Sequence, residues 1–73
     1  MEQRYLRAIH PYGYRWGKEN AKITEFFWDD IQNRAAIRLL FESDSTEDYV
    51  PVESIYSGDF MITPSKDPWP ATD

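Results

Sequence analysis

The 73-residue chain has no cysteine and a single histidine, His10. Disulfides, thiol redox chemistry and Cys/His zinc centres, the usual reinforcements of small domains, are therefore excluded. No apolar run approaches the ~20 residues that span a bilayer. The first residues hold Glu2, Arg4 and Arg7 and no apolar stretch of the secretory-signal type, so a cytoplasmic protein without membrane contact is expected. Glycine is scarce, at three residues, and no glycine-rich phosphate loop occurs. Ser43, Ser45, Ser54 and Ser57 lack any nucleophile signature, and one histidine would have to serve every triad. A carboxylate pair such as Asp29 with Glu47 stays open as acid and base. A chain this short nevertheless offers little concave volume for a substrate. No catalytic residue, metal or cofactor is assigned, and a non-enzyme is expected.

What the chain does have is rings: three Trp, five Tyr and four Phe. Each can bury about 150–250 Å², enough to fill a small core in a chain that buries only roughly 60 % of its unfolded surface. With 41 % hydrophobic residues the chain is expected to fold, despite a mean hydropathy of −0.70. Its net charge of −5 is lopsided. Residues 1–40 hold seven Lys/Arg against five Asp/Glu, whereas residues 41–73 hold Lys66 against eight Asp/Glu. Such a second half repels phosphate backbones and suits a basic protein surface.

Along the chain, Leu6 and Ala8 alternate with Arg7 in a first strand that Pro11 ends. His10 to Asn20 carries Pro11, Gly13, Gly17 and Asn20 and is predicted to be a long loop. Ala21 to Trp28 forms a second strand. Its Phe26-Phe27-Trp28 run cannot all face one side, so a bulge or an outlying ring is required. After a polar turn at 29–33, Ala35 to Phe41 is the strongest strand, with Ile37, Leu39 and Phe41 inward. A helix over Asp30 to Phe41 competes, since Ile31, Ala35 and Leu39 are spaced by four. A hairpin connection at 42–46, a short strand at Tyr49–Val50, a 3₁₀ turn over Val52 to Tyr56 and a last strand through Phe60 and Ile62 complete the domain. The expectation is a mainly β protein, a five-stranded SH3-like barrel over residues 1–63. A proline-rich extended tail follows over 64–73. Within it, Pro68-Trp69-Pro70 is open as a linear motif, a cover for a sheet edge, or disordered chain.

Arg7-Ala8-Ile9-His10-Pro11-Tyr12, Arg15-Trp16-Gly17, Ala21-Lys22-Ile23 and Glu47-Asp48-Tyr49-Val50-Pro51-Val52 together resemble small uncharacterised proteins encoded by bacteriophages and prophages. The opening strand, loop, glycine and strand are similar to KOW and other SH3-like barrels. This resemblance covers about residues 4–62 and implies the barrel. It also implies a host-directed accessory protein, such as an inhibitor of a host enzyme or defence system, acting in the host cytoplasm. Lys18-Glu19-Asn20 after Gly17 and the acidic charge depart from the KOW pattern, which weighs against RNA binding.

Two groups are candidates for binding protein. Tyr12, Tyr14, Trp16, Trp28 and Tyr49 either line a groove for an extended peptide or close the barrel end. Asp29, Asp30, Glu42, Asp44, Glu47 and Asp48 either form an acidic stripe for a basic partner or serve as solvated turns. Hairpin turns emerging at opposite ends would split that stripe. Arg4, Arg7, Lys22, Arg34 and Arg38 form a weaker basic face, which would bind nucleic acid by stacking and charge or simply protect strands from aggregation. The leading reading is a non-catalytic protein-binding module, monomeric or homodimeric, that modulates a host protein. A nucleic-acid-binding barrel and a virion or assembly component are the alternatives.

Overall fold

A computed structural model describes residues 4–10 and 13–67, the side chain of Tyr14 excepted. Pro11, Tyr12 and Pro68-Trp69-Pro70 lie outside the described residues. The elements are β1 (Tyr5–Ala8), α1 (Gly13–Lys18), β2 (Ala21–Asp29), β3 (Arg34–Phe41), β4 (Thr46–Pro51), α2 (Glu53–Tyr56) and β5 (Phe60–Thr63). The five strands make one antiparallel sheet in the order β4-β3-β2-β1-β5. It is an open sheet: β4 and β5 are its two edges, and the closed barrel expected from the sequence is not formed. Between those edges runs α2, whose Ile55, with Val52 just before it, packs on the core.

The core sits on one face. Leu6, Ala21, Ile37 and Leu39 are fully buried and Phe41 nearly so. The alternation of Ile37, Leu39 and Phe41 along β3 therefore reads correctly as strand, and the competing helix is not adopted. Trp16 closes this core from α1. Its ring lies 5.0 Å from that of Phe41, edge on, and 5.0 Å from that of Phe60. The predicted loop over His10 to Asn20 thus contains a helix. A helix of six residues has little stability alone. Packing of Trp16 supplies what local propensity lacks, which is why Gly13 and Gly17 mislead. At the next turn, one α-helical turn stands where a 3₁₀ turn is expected, although an Ile55 N–H to Val52 O bond of the 3₁₀ type does open it. Gly58 follows with φ of 90°, a conformation that glycine adopts without strain.

Two details of β2 shape its hairpin with β3. The register runs Ile23 opposite Leu39 and then Glu25 opposite Arg38, so Thr24 is an extra residue. Its hydroxyl donates to Arg38 O at 3.2 Å. This bulge lies upstream of the aromatic run and changes which residues share a face. Before it Ala21 and Ile23 look toward the core. Beyond it Phe26 and Trp28 do, paired opposite Ile37 and Ala35. In addition, β1 pairs with β2 only at Ala21 and Lys22. Past the bulge β3 is the sole sheet neighbour of β2 among the described residues, and the far half of the hairpin extends as a wing.

At the other end, Asn20 is 2 % exposed and fastens the chain after β5. Its Nδ2 donates to Ser65 O (2.9 Å) and Asp67 O (2.7 Å), and its backbone N–H to Lys66 O (3.3 Å). The first residues of the expected tail are thus tied to the start of β2.

Candidate interaction surface

The wing carries large apolar side chains in solvent. Phe26 is 62 % exposed, Trp28 56 % and Ile31, in the turn, 92 %. Two causes place them there. Aromatic residues favour the pleated strand conformation, and the bulge sends Phe26 and Trp28 to the core side, where no third element among the described residues covers them. The turn itself is held by Asp29, a buried residue whose Oδ1 accepts from the N–H groups of Ile31 (3.0 Å) and Gln32 (3.1 Å). Asn33 completes it with φ of 57°. Asp30 is exposed beside Trp28 and Ile31 and has no hydrogen bond or ion pair among the described residues.

The three described rings of the expected aromatic groove, Trp16, Trp28 and Tyr49, do not share one surface. Trp16 is a core lid, Trp28 lies on the wing's core-side face, and Tyr49 lies on the opposite face of the sheet. There Tyr49 meets Phe27 at 5.9 Å, and Arg38 stacks over the Phe27 ring at 4.9 Å. Tyr12 and the Tyr14 side chain lie outside the described residues.

The acidic residues divide between the two ends of the hairpin. Asp29 and Asp30 are on the wing; Glu42 and Asp44 are in the β3–β4 turn, and Glu47 and Asp48 on β4. The second group is largely engaged. Glu42 sits 3.9 Å from Lys22 Nζ and accepts from the Tyr5 hydroxyl at 3.3 Å. Burial first, and then Glu42, holds the Tyr5 phenol above its ordinary value. Asp44 pairs with Arg15 and accepts from the Thr46 hydroxyl. Asp48 Oδ1 accepts from the N–H of Tyr49 at 2.8 Å.

That last bond bears on the sheet edge. Val52 N–H donates to Ala35 O on β3, so by strand alternation the N–H groups of 48 and 50 face β3 and those of 47 and 49 face outward. Tyr49 N–H is taken by Asp48, and Pro51 has none. The β4 edge keeps Glu47 N–H as its one outward donor, a poor template for a further strand.

Arg7, Lys22, Arg34 and Arg38 alternate onto the sheet's other face, and the last three have carboxylate partners. Arg38 bonds Glu25 at 2.9 Å, Arg34 bonds Glu53 at 2.8 Å, and Lys22 has Glu42. Arg4 and Arg7 are engaged as well. Thr24, Glu25, Arg38, Leu40 and Glu47 line an open depression of about 490 Å³. No group of three or more His, Cys, Asp or Glu among the described residues could hold a metal ion, and no described helix is long and apolar enough to cross a membrane.

Reasoning from sequence misses Phe26 and Ile31. The signal for Phe26 is the three-ring run, which has to leave a ring outside; Ile31, within a polar turn, gives none.

Comparison of the chain with known protein families, with curated proteins and with solved structures finds no match in any of the three.

Proposed function

We propose that the chain is a non-catalytic protein-binding module of SH3-like architecture, and that it acts by occupying a surface of a host protein. The observation that carries this reading is the exposed trio Phe26, Trp28 and Ile31 on one wing of a very small domain. Large apolar side chains exposed together on one hairpin, beside unpaired acid, are the mark of an interaction site. The SH3-like part is supported by the strand order, by the long first connection over the core and by the helical turn before β5. The likeness to phage-encoded proteins supports a host protein as the target, and the acidic balance supports a basic one. Compensation of Lys22, Arg34 and Arg38 by carboxylates favours protein over nucleic acid.

The test is capture on the immobilised full chain from bacterial lysate at low and raised salt, with a DNA and RNA mobility shift in parallel. A protein retained at low salt and released at high salt is expected. Retention of nucleic acid alone, or of nothing, would reject the reading.

A further inference from the structure

We infer that the Phe26–Trp28–Ile31 wing is the docking site. Its occupant is a short segment of the partner protein that presents an apolar side chain next to Lys or Arg. This rests on the protein-binding reading and specifies its site and ligand chemistry.

Charge selects the cationic neighbour. Every cation on or beside the wing is consumed within the molecule, Arg34 by Glu53 and Arg38 by Glu25. Asp30 stands uncompensated between Trp28 and Ile31 in sequence. Asp29, its neighbour in the chain, is buried and its Oδ2 has no hydrogen-bond partner. A basic side chain reaching this tip meets the Asp30 carboxylate and no competing cation, whereas an acidic one meets a like charge.

Size selects a short segment. Exposures of 62, 56 and 92 %, on side chains that bury about 150–250 Å² when aromatic, leave on the order of 400 Å² to cover. That is about half of the ~800 Å² each partner contributes to a stable protein interface. Two copies of this chain joined here would fall short of that area. They would also place two acidic tips in one self-complementary contact. An anionic bilayer is repelled by the same Asp30 carboxylate. Addition of a strand at β4 is blocked by the Asp48–Tyr49 bond and Pro51.

The experiment pans a random-peptide display library on the immobilised full chain, then titrates the best synthetic peptide into isotope-labelled protein. Enriched peptides should carry an aromatic or aliphatic residue within two positions of Lys or Arg. Amide shifts should centre on Phe26, Trp28, Asp30 and Ile31. Trp28→Ala should weaken binding about tenfold or more, as interface aromatic anchors do. Asp30→Lys should weaken it at low salt and much less at high salt. Tyr49→Ala, on the other face, should change nothing. Enrichment of acidic or uncharged peptides, shifts centred on Phe27 and Tyr49, concentration-dependent dimerisation through the wing, or binding to phosphatidylserine vesicles that Trp28→Ala abolishes would each overturn the inference, as would no enrichment. A lysate partner that survives Trp28→Ala would leave the module reading standing and remove this site alone.

Discussion

Trp16 and Trp28 are one side chain in two settings. Trp16, on a helix of six residues, is wedged between Phe41 and Phe60 over the core. Trp28, on the longest strand, keeps more than half of its surface in water. The element with the stronger local propensity carries the exposed ring, and the element with the weaker one carries the packed, partly buried ring. Local propensity builds the wing; tertiary packing builds the lid. The wing can therefore hold apolar side chains in solvent without contributing to the core, which frees them for a partner.

The widest separation between the two rings should appear in stability. Trp16→Ala removes a packed ring and should cost about 3–5 kcal/mol, against a total of about 4–11 kcal/mol for a chain this size. Urea denaturation should find it largely or wholly unfolded. Trp28→Ala should stay within about 0.5 kcal/mol of the parent. Equal losses would mean that the wing is part of the core after all.

The division also explains what the sequence reveals. Ile37, Leu39 and Phe41 announce β3 because period-two burial is written directly in residue type. Turn residues at 29–33 and 42–45 mark both hairpin ends. The Thr24 bulge leaves no such mark, because any residue can be the extra one. Yet it decides that Phe26 and Trp28, and not Phe27, share the core's face. Nor is α1 legible, since its stability comes from contacts with residues 25 and 44 positions after Trp16. Half of the candidate site follows the same logic: Trp28 stands out as a ring, whereas Ile31 needs the turn's geometry to appear.

Next in size is the Asn20 clasp. Asn20→Ala removes donors to two carbonyls near the packed end and should cost about 1–3 kcal/mol. Hydrogen exchange should quicken around Ala21 and Met61 while amides of the wing keep their rates. Acceleration spread evenly over both regions would argue that they unfold as one unit.

Asp29→Ala probes the wing in the same manner. Loss of the acceptor for Ile31 and Gln32 should cost about 1 kcal/mol and loosen the turn. Peptide binding should fall with it, because Ile31 loses its fixed position. Unchanged exchange at both amides would show that Asn33 alone sets the turn.

Asp44 is the counterpart of Asp29 at the opposite end of β3, and its effect should be the smallest because it is exposed. Its carboxyl is held below the ordinary value of 3.8, first by the hydrogen bond from the Thr46 hydroxyl, against a smaller desolvation that raises it, with Arg15 adding to the lowering. A depressed folded-state value means that the contribution is present above 3.8 and is lost as pH falls through the folded value. Carboxyl-carbon titration should place Asp44 below an ordinary aspartate, and Thr46→Val should move it back toward one. Salt should weaken only the Arg15 share. Titration at or above 3.8 in the parent would dissolve the parallel between the two turns, leaving Asp29 as the one aspartate that shapes a hairpin end.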